Sequence, residues 1–208
     1  AQSLTREIER LANGLDKIIT DARAETSASV DDLNASLNRI HQLNNAISAA
    51  EGAGQSSVDM QDERDQEVQK ISALMKITVV TRPGNRIAIF TPGGSSLLDN
   101  VPNTYSWNGT AIISNATDVT SVLKGGKLEA LIGVLDQGST PAILNDPGKA
   151  SVFKINEQLD ELVDLLTNAA GTFATAYDSA TTGAGELASA FFTGTNRYNF
   201  ALNTAIAN

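Results

Sequence analysis

Few residues in this 208-residue chain could do chemistry. There is one histidine, His41, and no cysteine. A catalytic or metal-binding imidazole needs a constellation of partners. At helical spacing the neighbours of His41 are Leu37 and Asn45, neither of them a metal ligand. His41 therefore reads as a helix-surface or seam-edge residue. The densest acidic cluster is Asp59, Asp62, Glu63 and Asp65. Oxygen ligands suit Ca²⁺ or Mg²⁺. This cluster lacks the spacing and glycine of a calcium loop, and helical spacing spreads its carboxylates around the axis. An acidic first turn at the positive end of a helix dipole explains it, with Arg64 as an internal counter-ion.

Two glycine stretches invite a phosphate-loop reading: Gly93-Gly94-Ser95-Ser96 and Gly125-Gly126-Lys127. Neither follows the strand–GxxxxGK[ST]–helix pattern that wraps a phosphate in backbone amides. Gly126-Lys127 precedes a helix, where an anion could rest weakly. Turns with positive φ explain both stretches. No G-x-S-x-G serine motif occurs. Without cysteine, disulfides, thiol chemistry and Cys-based metal sites are excluded. The sequence assigns no catalytic, cofactor-binding or metal-ligating residue, and an enzyme is not expected.

The elements that would position any site are long helices. From Ser3 to Glu51 there is no proline, and Leu4, Ile8, Leu11, Leu15, Ile18 and Ala22 recur at helical spacing. Val30, Leu33, Leu37, Ile40, Asn44 and Ile47 continue the pattern after a one-residue shift across Glu25–Ser29. Such a seam marks one side of a long helix, on the order of 70 Å at ~1.5 Å per residue. The shift predicts local unwinding or a bend. Gly52-Ala53-Gly54 and Ser56-Ser57 supply a stop and the next start. A second helix, about Val58 to Met75, places Met60, Arg64, Val68, Ile71 and Met75 on one side and forms an antiparallel hairpin with the first.

From Lys76 the period changes to two. Ile77–Thr81 and Arg86–Phe90 read as strands around a Pro83-Gly84-Asn85 turn. Leu97-Leu98 follows a second turn. Tyr105–Trp107 and Thr110–Ile113 flank Asn108-Gly109, a type I′ hairpin signal. A short helix, about Lys127 to Asp136, follows Gly125-Gly126, and Gln137–Lys149 reads as loop. A long helix, about Ala150 to Ala180, carries a seam of Ile155, Leu159, Leu162, Leu166, Ala169, Phe173 and Tyr177. Thr181–Glu186 is a break.

The expected fold class is α+β, mainly α: an elongated antiparallel long-helix bundle with an inserted small antiparallel β unit. Residues 1–75 and 124–180 form the helical rod, 76–123 the β-rich insertion, and 181–208 an irregular, short-stranded segment. The seams can bury each other in a three-helix bundle without an outside partner.

Composition narrows the partners. Apolar residues make up 41% and aromatics only 5%, so the core must be aliphatic, which disfavours a deep aromatic-lined pocket. The net charge of −9 repels a phosphate backbone, so nucleic acid is not expected. No Lys/Arg run suits anionic lipid. No apolar stretch approaches the ~20 residues of a membrane helix, so no membrane is expected either. No signal peptide is visible.

The order of elements resembles the flagellar hook-associated protein 1 family, the hook–filament junction proteins. The resemblance rests on Leu33-Asn34, Leu37-Asn38 and Leu43-Asn44 late in the first helix, then Asp62-Glu63-Arg64-Asp65. Pro92-Gly93-Gly94-Ser95-Ser96-Leu97-Leu98, Gly125-Gly126-Lys127-Leu128 and Phe191-Phe192-Thr193-Gly194 follow in the family's order. It covers about Leu4 to Ile206. It departs at Leu135-Asp136, where the family often has Arg-Asp. It departs again near Ala174, Thr175 and Tyr177, where the usual Val-Asn-x-x-His is missing.

The resemblance implies a non-enzymatic structural subunit without cofactors. Such a subunit is exported through the flagellar type III channel and assembles outside the cell. Its partners would be the hook protein, neighbouring junction subunits, flagellin and an export chaperone. It further implies a core fragment lacking the terminal polymerisation helices, expected to be monomeric. Two other readings are a helical ligand-binding sensor ectodomain and a flagellin-like filament or cap subunit.

Overall fold

The computed structural model describes residues 2–135, 152–168 and 192–203. They fall into two compact units. One holds residues 21–135; the other holds the described residues of 1–20 and 136–208. The protein is a mainly α member of the α+β class, with small antiparallel sheets.

Helix α1 runs unbroken over Gln2–Gly52. The shift across Glu25–Ser29 neither unwinds nor interrupts it. The core-facing row instead passes from Ala22 through Thr26 to Val30, and both Thr26 and Ser29 are buried. Thr26 tolerates this because its hydroxyl donates to the Ala22 carbonyl at 2.7 Å. The helix stops in a Schellman arrangement. The Gln55 amide donates to the Ala50 carbonyl at 2.8 Å and the Gly54 amide to Glu51 at 3.0 Å, with Gly54 left-handed.

In the unit of residues 21–135, helix α2 (Val58–Leu74) lies antiparallel on the later part of α1. Ser57 beside Glu51 and Arg39 paired with Glu63 at 2.6 Å fix the direction. Ser57 occupies the N-cap position, yet its hydroxyl donates to Glu51 and not to its own helix. Strands β1 (Thr78–Arg82), β2 (Arg86–Phe90) and β3 (Ser96–Leu98) form one sheet in that order. Strands β4 (Ser106–Trp107), β5 (Ile112–Ser114) and β6 (Thr117–Asp118) form another. A 3-10 turn at Thr120–Val122 leads to α3 (Gly126–Leu135).

The β segment shares one core with the helices. Leu33, Leu37 and Ile40 of α1, Ile71 of α2, Ile89 of β2 and Leu128 of α3 belong to the same buried cluster. Each such side chain contributes about 1.5–3 kcal/mol on burial. The type I′ expectation at Asn108-Gly109 is not met. The Asn108 carboxamide oxygen accepts the Thr110 and Ala111 amides at 2.9 and 2.8 Å, and only Gly109 is left-handed. The tight turn with two left-handed residues lies between β5 and β6, at Asn115 (φ 49°) and Ala116 (φ 61°).

In the other unit, the start of α1 packs with α4 (Val152–Thr167) and the β7 (Phe192–Thr193)–β8 (Ala201–Leu202) hairpin. Ile8, Ala12, Leu159, Val163, Phe192 and Phe200 form its core. The two phenylalanine rings lie 4.8 Å apart at 33°. The seams differ from expectation here. Leu4, Leu11 and Ile18 are exposed at 39%, 42% and 47%, while Ile8, Ala12 and Ile19 are buried. On α4, Ile155 and Leu162 are likewise exposed, while Val152, Asn156, Leu159 and Val163 are buried. Both helices carry a wide apolar arc, and among the described residues the edge through Ile8, Ala12, Leu159 and Val163 faces the core. The expected helical stretch from Ala169 to Ala180, the Gln137–Lys149 loop and the Thr181–Glu186 break lie outside the described residues.

Candidate functional site

A set of partnered polar groups binds the β segment to the helices. Asn44 occupies a seam position on α1 and is buried. Its carboxamide meets both main-chain groups of Ile87 in β2. The Asn44 Nδ2 donates to the Ile87 carbonyl at 2.8 Å, and the Ile87 amide donates to Asn44 Oδ1 at 3.0 Å. Asn34, earlier on α1, repeats the arrangement. Its Nδ2 donates to the Tyr105 carbonyl at 2.7 Å, and the Tyr105 amide donates to Oδ1 at 2.9 Å. A carboxamide has the donor and acceptor layout of a peptide unit, so each asparagine acts as a short neighbouring strand. Burial beside this contact pushes the Tyr105 phenol up to about 12.

Arg64 of α2 completes the network. It is buried, and its Nη1 donates to Asn44 Oδ1 at 3.2 Å and to the Asn85 carbonyl at 2.5 Å. Burial lowers its basicity, opposed by the charges of Asp65 and Glu51. Asn85 also donates to Glu51 at 2.6 Å, which ties the β1–β2 turn to the end of α1. Arg64 therefore hydrogen-bonds inward to neutral oxygens, while of the acidic cluster only the Asp65 charge acts on it.

The other sequence candidates are placed apart. Asp59, Asp62 and Asp65 are exposed, and Glu63 pairs with Arg39. Among the described residues, no group of three or more His, Asp or Glu side chains is arranged to hold a metal ion. His41 is half-buried, with Asn45 3.3 Å from its Nε2. Gly93-Gly94 forms a tight turn closed by the Gly94 amide on the Thr91 carbonyl at 2.9 Å. At Gly125-Gly126 the place of an anion is taken. The Gly125 amide donates to the Glu129 carboxylate at 2.7 Å, and Lys127 pairs with Glu25. No helix among the described residues is long and apolar enough to cross a membrane.

Asn44 stands in the apolar seam and the Leu-Asn pairs recur late in α1, but the spacing alone does not show that Asn34 and Asn44 dock the β segment. The available signal was a polar residue at an apolar position of an otherwise regular stripe. A buried asparagine there must find partners.

These features define a class: a helical structural domain in which polar side chains of the helices hold its own β segment in place. The family model "Flagellar hook-associated protein FlgK helical domain" matches residues 1–192, and the chain belongs to that family. Among solved structures, it is similar to the flagellar hook junction protein FlgK from Burkholderia pseudomallei. That likeness has a TM-score of 0.60 and 21% identity, covering 80% of this chain and 30% of that one. The chain thus spans under a third of the length of that relative. No curated protein sequence matches.

Proposed function

We propose that this chain is part of a subunit joining the flagellar hook to the filament, acting by packing and not by catalysis. The family match over residues 1–192 carries this reading and favours it over a sensor ectodomain or a flagellin-like subunit. The site geometry agrees with it. Asn34, Asn44 and Arg64 make a fixed body of helices and strands, which suits a part that must keep neighbours in register. The hook protein, flagellin, neighbouring junction subunits and an export chaperone are the proposed partners of the whole protein. Export through the flagellar channel and assembly outside the cell are its proposed route, and the chain taken alone is proposed to be a monomer.

The test is deletion of the gene encoding the chain. Hooks should assemble while filaments are shed into the medium, and a plasmid copy should restore attached filaments. Mutant cells that keep their filaments and swim normally would overturn the reading.

A further inference from the structure

We propose that the turn between β7 and β8 is a clasp that sets how readily the unit containing α4 opens, without opening the unit of residues 21–135. The turn is shaped in advance. The Asn199 Oδ1 accepts the Thr195 and Asn196 amides at 2.8 and 2.9 Å, and the Tyr198 amide donates to Asn196 Oδ1 at 3.0 Å. Two prongs leave it. Arg197 reaches α4: its amide donates to Asp160 Oδ1 at 3.0 Å, and its guanidinium pairs with Asp160 Oδ2 and donates to the Asn156 carbonyl at 3.4 Å. Tyr198 reaches α1: its hydroxyl lies 2.8 and 2.9 Å from the two Asp16 oxygens. The prongs are joined. Arg197 Nη2 donates to the Tyr198 hydroxyl at 3.0 Å, and the guanidinium lies over the Tyr198 ring, 4.6 Å from its centre. One chain of polar contacts, Asp160–Arg197–Tyr198–Asp16, therefore ties α4 to α1 across the turn.

Among the described residues, the clasp lies over a buried set of Ile8, Ala12, Leu159, Val163, Phe192 and Phe200, contributed by α1, α4 and the hairpin. Opening free energies differ between cooperative parts of one protein. A bond to an ionised acceptor that ties two helices of one part adds to the cost of separating them. The Arg197 side chain is only 14% exposed, so this prong is partly shielded from solvent.

Native-state hydrogen exchange on the full chain tests this, with α1 residues 5–16 and α4 as one set and Leu33–Ile47 with β2 as the other. Tyr198→Phe keeps the ring and removes the hydroxyl, and should speed the first set about three- to tenfold while leaving the second unchanged. Asp16→Ala, which removes the acceptor at the other end of the same bond, should do likewise. The double variant should add little to either single change, the mark of a shared contact. Faster exchange in both sets together, no change in the first set, or full additivity in the double variant would overturn the proposal.

Discussion

Gly126 at the start of α3 lies against the main chain of Leu74 at the end of α2. A Cβ on Gly126 would stand 2.7 Å from the Leu74 carbonyl oxygen, and the residue has φ of +67°. Beside it, the Lys76 amide donates to the Lys124 carbonyl at 2.8 Å. Gly126→Ala should therefore cost about 2–4 kcal/mol, from the left-handed backbone and the forced separation together. Urea unfolding followed by the fluorescence of Trp107, the single tryptophan, measures it. Gly133→Ala in the same helix meets nothing within 4 Å and should be neutral or stabilising by up to about 1 kcal/mol.

Ala116 is the converse case. It holds a left-handed conformation, φ 61°, that a side chain disfavours. Ala116→Gly should raise stability by about 0.5–1 kcal/mol, the relief of strain less the added freedom of the unfolded chain. A higher urea midpoint with an unchanged slope is the expected result.

Asn44→Ala should be among the costliest single changes in the unit of residues 21–135. It leaves the Ile87 amide and carbonyl without partners and removes one acceptor of buried Arg64. The loss should be about 2–4 kcal/mol, because unpaired buried groups cost more than the bonds themselves return. Asn45→Ala, at an exposed neighbouring position, should change stability by less than about 0.5 kcal/mol.

Glu51 predicts a pH dependence. Hydrogen bonds, first from Asn85 and then from Ser57, hold its carboxyl below the ordinary range. A carboxyl more acidic folded than unfolded adds stability above its unfolded value, about 4.3. That stability is lost as pH falls through the lower folded value. The wild type should therefore exceed Glu51→Gln in urea midpoint at about pH 7, and the gap should shrink at about pH 3. A gap that is constant with pH would contradict the assignment.

Much of the fold was legible because helices announce themselves by period. The bounds of α1, α2 and α3 and of the β1–β2 hairpin lie within a residue or two of those expected from apolar spacing and turn residues. Which edge of a wide apolar arc is buried was not legible. Leu4, Leu11 and Ile18 have the same local pattern as Ile8, Ala12 and Ile19, and only the partner elements choose between them. Asn108-Gly109 failed as a type I′ signal because a side-chain acceptor can reorganise the turn it sits in. The docking role of Asn34 and Asn44 depends on partners far away in sequence. A single chain read along its length shows the polar residue in the stripe but not what it meets.

The two asparagines grip the main chain of Ile87 and Tyr105, not their side chains. Amide and carbonyl groups are the same in every residue except proline, which lacks the amide. The recognition is therefore indifferent to side-chain identity at Ile87 in β2 and at Tyr105 just before β4, beyond what the core must fill. Substituting Ile87 or Tyr105 changes packing while the helix still reads the strand as backbone. The long helix thus addresses the β segment by shape and register, which leaves the outward faces of the strands free to vary without loosening their seat.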